Sequence, residues 1–163
     1  MFRKMRRSRQ ELSESETIEI MKNGTTGVLA VLGDDDYPYA VPVNYLYRDG
    51  KIIFHGAKAG HKFEAMQKHD KVSFCVIGRD QIVPEKVTDY FRSAIAFGRV
   101  RMIDDPEEKM QAAHDLGRKY SPEEAVQDDI GRSYRNVVMF EIEIEHLTGK
   151  QAVELLDAGG KPA

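Results

Sequence analysis

Cysteine is nearly absent from this chain: one residue, Cys75, among 163. An internal disulfide is excluded, and so is a Cys-rich zinc site. A reducing, cytoplasmic location is the expectation that follows. Long apolar runs are missing too. None approaches the ~20 residues with which a helix spans a bilayer, so no membrane partner is expected. No apolar stretch follows the basic start in the manner of a secretory leader. The short catalytic signatures are also absent: no HExxH pair, no GxSxG elbow, no GxxxxGK[ST] loop and no GxGxxG turn. Five histidines are present, but none has metal-ligand spacing, and no metal is expected. With neither a nucleophile motif nor a metal site, any redox chemistry has to come from a bound cofactor.

The charge balance is ordinary, at a formal −3 with 31% charged and 41% hydrophobic residues. That composition fits a soluble globular domain and argues against bulk nucleic-acid binding. The exception is local. Arg3, Lys4, Arg6, Arg7 and Arg9 crowd the first nine residues. No aromatic interleaves with them beyond Phe2 and no nucleic-acid motif follows, so no nucleic-acid partner is expected. We expect a basic arm over residues 1–12, one domain over residues 13–150 and a flexible tail over residues 151–163.

Ser13-Glu14-Ser15-Glu16 has the form of a capping box and starts a helix that stops near Asn23-Gly24. The apolar run at residues 28–32 predicts a buried strand. Residues 39–47 alternate Tyr39, Val41, Val43, Tyr45 and Tyr47 onto one face of a second strand. Pro42 cannot donate to a ladder, which places that strand at an edge, a bulge or a corner. Asp49-Gly50 predicts a tight hairpin into a third strand at residues 52–55. A short helix at 61–68 and a fourth strand at 72–77 follow, with Cys75 expected as a small core residue. Residues 79–92 are irregular. A fifth strand covers 93–102, bent at Gly98. Asp105-Pro106-Glu107-Glu108 opens a strong helix, and Ser121-Pro122-Glu123-Glu124 opens another. The last strand covers 137–147, with Val138, Phe140, Ile142, Ile144 and His146 on one face. From Gly149 onward the composition predicts a tail. The fold class is mainly β with peripheral helices: a six-stranded antiparallel barrel. Its interior is filled by side chains, so a large ligand must sit in an outer groove or between subunits.

The chemistry concentrates at Phe54-His55-Gly56-Ala57-Lys58-Ala59-Gly60-His61-Lys62. A strand ends, a loop of small residues turns, and a helix begins with His61 and Lys62 in its first turn. The open N–H groups and dipole of a helix start favour an anion, and basic side chains strengthen that preference. The same features also suit an ordinary βα connection that carries basic residues.

Several segments occur in a telling order: Arg6-Arg7 with Arg9-Gln10, Thr26-Gly27-Val28-Leu29-Ala30, Pro38-Tyr39-Ala40-Val41-Pro42-Val43-Asn44-Tyr45, Phe54-His55-Gly56-Ala57, Gly60-His61-Lys62 and Ser93-Ala94-Ile95-Ala96-Phe97-Gly98. Together, over roughly residues 5–150, they resemble the nitroimidazole-resistance branch of the pyridoxamine 5′-phosphate oxidase-like, FMN-binding split-barrel superfamily. The resemblance implies a split barrel and a homodimer with FMN in grooves at the subunit interface. It implies that Val41, Pro42, Val43 and Asn44 line the flavin, with His55 and Gly56 beside its ribityl chain or ring. His61 and Lys62 would hold the phosphate, and Ser93 lies on a strand that lines the same groove. The implied activity is FMN-dependent reduction of small substrates, nitroaromatics among them, with His55 polarising or protonating the substrate or simply hydrogen-bonding flavin or backbone. The oxidases themselves carry an arginine–lysine pair where this chain has His61-Lys62, and their substrate-phosphate residues have no counterpart here, so vitamin B6 oxidation is not implied. The alternatives are a non-catalytic flavin-binding or sensing protein, or a split barrel that takes haem or a deazaflavin.

Overall fold

The structure, a computed structural model, describes residues 1–156. Its elements in chain order are α1 (Glu14–Asn23), β1 (Thr26–Leu32), β2 (Pro38–Asn44), β3 (Leu46–Arg48), β4 (Lys51–Ala57), α2 (His61–Lys68), β5 (Lys71–Arg79), β6 (Ile82–Val83), β7 (Thr88–Asp89), β8 (Arg92–Met102), α3 (Pro106–Tyr120), α4 (Glu123–Ser133) and β9 (Val137–Gln151). The helix starts follow the residues that mark them. At α1 the Glu16 N–H donates to Ser13 Oγ at 3.3 Å, and the Ser13 N–H donates back to the Glu16 carboxylate at 3.0 Å. This reciprocal box satisfies two donors that the helix would leave open. At α3 the Asp105 carboxylate accepts from the Glu108 N–H at 2.8 Å.

Seven strands form one antiparallel sheet in the order β2-β1-β5-β8-β9-β4-β3. The sheet curls until β2 approaches β4, closing a split barrel. Pro42 sits on β2, an edge strand among the described residues that pairs with β1, and an edge is where a proline is tolerated in a sheet. The β3–β4 hairpin turns at Asp49 and Gly50, both at positive φ, as a two-residue turn requires.

The expected count of six strands is corrected to seven, plus a separate β6–β7 hairpin within the stretch expected to be irregular. The extra strand arises because the second strand breaks at Tyr45. There the backbone N–H donates to Tyr120 Oη at 2.9 Å, and the carbonyl accepts from Lys119 Nζ at 2.9 Å. The end of α3 thus supplies partners that a neighbouring strand would otherwise provide.

The barrel interior is packed with Leu29, Ile52, Phe54, Phe74, Val76, Phe140 and Ile142. Met21 of α1 and Met66 of α2 close it. A second, smaller core lies outside the sheet, where Ile53 and Met139 meet Ala112 and Leu116 of α3. Along β4, residues therefore alternate between two apolar layers.

Three further expectations are corrected. His146 does not share a face with Ile144. β8 pairs Phe97 with His146 but Gly98 with Ile144, so Glu145 is an extra residue. That bulge flips the alternation: Leu147 packs inward and His146 stacks on Phe2 outside, at 4.6 Å between ring centroids. Cys75 is not a core residue. Val72, Phe74 and Val76 take the interior, leaving Cys75 half-buried on the other face. The last strand does not end at Leu147. It runs on to the fully buried Gln151, and a 3-10 turn follows at Val153–Leu155. Residues 157–163 of the expected tail lie outside the described residues.

Candidate functional site

β4 delivers His55 and Gly56 to one end of the barrel, and residues 58–60 turn the chain into α2. Gly60 makes this turn at φ 110°, a conformation that side chains disfavour. No side chain caps α2, so its first N–H groups are left for another acceptor. Lys62, in that first turn, is half-buried and folds back beneath β4. A methyl group at Gly56 would lie 3.4 Å from Lys62 Cε and 3.2 Å from the Phe140 ring. Gly56 lies within β4, where an added methyl group would press on the Phe140 ring.

The Lys62 ammonium lies 5.9 Å from the centre of the Phe54 ring. It has no carboxylate partner among the described residues. Burial lowers its pKa from the ordinary lysine range. The desolvation of this cation is uncompensated within the chain as far as the described residues go, and a partial burial of that kind together with open helix N–H groups favours an anion.

His61 is placed differently. Its ring stacks on Tyr39 at 4.2 Å, and its Nε2 accepts from the Asp34 N–H at 3.2 Å. A methyl group at Gly33 would come within 2.7 Å of that nitrogen. One face and one nitrogen of His61 thus fasten α2 to the β1–β2 turn. The sequence reading missed Tyr39 and Gly33 as its partners.

On β2, Val41 and Val43 pack half-buried against the barrel core, while Pro42 and Asn44 face outward. The Asn44 side chain donates to the Thr25 carbonyl at 2.9 Å. Asn44 and His55 line one cavity of about 570 Å³, roofed by α3 and α4 and floored by β4 and β9. Ser93 is not brought to it within one chain. Phe140, the partner of Met102 on β9, also pairs with Phe54 of β4. Ser93 is nine residues before Met102, or roughly 30 Å along the strand.

The cavity adds residues that sequence reasoning missed, notably Tyr120, Asp129 and Tyr134. Burial, and then the nearby Lys62 charge, push the His55 pKa below its ordinary value, while Asp129 pulls the other way. The imidazole is therefore neutral at pH 7 and has both a donor and an acceptor nitrogen. No group of three or more His, Cys, Asp or Glu among the described residues is arranged to hold a metal.

Residues 13–151 match the family model of pyridoxamine 5′-phosphate oxidase. The chain belongs to the pyridoxamine 5′-phosphate oxidase family. This is the wider family that the sequence resemblance pointed to. Three solved structures are similar in fold. A candidate 5-nitroimidazole antibiotic resistance protein from Bacteroides thetaiotaomicron is 23% identical, with 86% of each chain covered and a TM-score of 0.71. An FAD-binding protein from Mesorhizobium loti is 25% identical over 87% of this chain and 96% of that one, with a TM-score of 0.62. The flavocytochrome Anf3 from Azotobacter vinelandii is 17% identical over 91% and 72%, with a TM-score of 0.75. No curated protein sequence matches the chain significantly.

Proposed function

We propose that this member of the pyridoxamine 5′-phosphate oxidase family binds FMN and reduces small substrates with it. The observation that carries the reading is Lys62: a half-buried cation without a carboxylate partner among the described residues, next to the uncapped start of α2. That donor set suits a phosphate. The open turn at Gly60, where an added methyl group would meet nothing within 4 Å, suits a ligand lying close to the backbone. The FAD-binding relative from Mesorhizobium loti supports a flavin in this fold.

In this reading Lys62 and the α2 N–H groups hold the phosphate. His61 keeps the helix start in place through Tyr39 and Asp34. Val41, Pro42, Val43 and Asn44 border the ring, with His55 and Gly56 along β4. The flavin, when bound, supplies the electron transfer. Neutral His55 hydrogen-bonds the substrate and supplies or takes a proton at its imidazole nitrogens.

The reading includes a homodimer. Ile77, Ile95 and Phe97 expose 64%, 40% and 40% of their surface on the outer side of β5 and β8. Ser93 lies on that same side of β8, where it would reach a second subunit's groove. Light scattering is expected to give a dimer, and a monomer carrying stoichiometric flavin would overturn this part.

The purified protein is expected to show flavin absorption bands and to turn over a nitroaromatic with NADH or dithionite. Flavin bands without turnover would leave a carrier or sensor. A Soret band in their place would point to haem, and absence of both would reject the reading.

A further inference from the structure

We propose that the cavity between α3, α4 and β4 is a substrate pocket for neutral or cationic aromatic molecules, with Asp129 as the residue that discriminates by charge. Calling the occupant a substrate rests on the flavin reading above; the charge preference itself does not.

The volume, about 570 Å³, suits a small organic ligand. The walls are mainly apolar: Leu116, Val126 and Ile130 from the helices, and Val137 and Met139 from β9. Such walls favour a flat, apolar body over a sugar or a polyanion. Charge then decides among flat bodies. Among the described residues no lysine or arginine lines the cavity, and Asp129 is its one carboxylate. Asp129 accepts from Ser133 Oγ at 3.0 Å, and no lysine or arginine pairs with it among the described residues. Its charge raises the His55 pKa, against the larger lowering by burial and by Lys62.

Lys62 lies with Gly56 on the opposite face of β4 and does not line the cavity, although its charge also acts on His55. Adjacent residues of one strand thus separate an anion-seeking site from a cation-seeking one. A phosphate or carboxylate in the cavity would meet Asp129 with no lysine or arginine among the lining residues to pair with. An amine or amidine there would gain a charge-assisted hydrogen bond. Phosphate-bearing vitamin B6 compounds are therefore the wrong substrates for this pocket.

The test uses three probes of nearly one shape: benzamidine, benzamide and benzoate. Each is titrated calorimetrically into the full chain, with and without FMN. The expected order is benzamidine tightest and benzoate weakest. Asp129→Asn should weaken benzamidine about tenfold and narrow the gap to benzoate. Ile130→Trp, which fills the cavity, should abolish binding of all three. Benzoate binding as tightly as benzamidine, no binding of any probe, or an undiminished gap between benzamidine and benzoate in Asp129→Asn would overturn the proposal. The wild-type order stands as a test even if a variant fails to fold. Should the chain take up no FMN yet keep the order, the flavin reading fails and the pocket assignment survives.

Discussion

Replacing Lys62 with alanine is expected to weaken FMN binding about tenfold to a hundredfold while leaving riboflavin nearly unaffected. The change removes one charge-assisted contact, worth about 1.5–3 kcal/mol, and affinity falls one decade per roughly 1.4 kcal/mol. Riboflavin has no phosphate to lose. The fold should be almost indifferent, because Lys62 makes no hydrogen bond or ion pair among the described residues, and its ammonium lies 5.9 Å from the centre of the Phe54 ring. Removing a half-buried cation even relieves a desolvation cost in the apoprotein. Titration of both flavins by fluorescence quenching, beside a thermal melt, separates the outcomes. Equal weakening of FMN and riboflavin would show that Lys62 acts on the ring or the fold and not on a phosphate.

Gly98→Ala is expected to destabilise the fold strongly, unlike Lys62→Ala. A methyl group there would lie 2.2 Å from the Glu143 carbonyl oxygen and 2.8 Å from the Ile142 side chain. The first contact is with the backbone of a paired strand, which cannot move aside without shifting β9. Overpacking of this kind costs about 3 kcal/mol. For a domain of this size the melting temperature should fall by roughly 6–12 °C. A melt within about 2 °C of wild type would show that the β8–β9 bulge is more pliable than its geometry indicates.

Gly98 also shows what a sequence can and cannot convey. A bend there is legible, since glycine interrupts an otherwise regular strand. The cause is not, because the extra residue, Glu145, lies on the opposite strand. One unmarked insertion turned His146 from the expected inner face to the outer one. Tyr45 is similar: its strand breaks because Lys119 and Tyr120, far along the chain, capture its backbone groups. Local signals fared better. The Ser13–Glu16 box, the Asp105 cap and the Asp49-Gly50 turn depend on neighbours a few residues away, and each formed as its residues dictate.

The candidate site divides along the same line. The turn into α2 was legible from Gly60, His61 and Lys62, because a helix start carries its own chemistry. The fastening of His61 to Tyr39 and Asp34 was not, as it depends on the β1–β2 turn packing against α2. The cavity was invisible. Asp129 and Tyr134 lie in a stretch whose sequence describes a solvated helix and its end, and only the docking of α4 sets them beside His55.

The central claim is a phosphate site at Lys62 and the start of α2, and the ratio of FMN to riboflavin affinity in the wild-type apoprotein tests it most directly. The account predicts that FMN binds at least about tenfold more tightly. Riboflavin binding as tightly as FMN would contradict it.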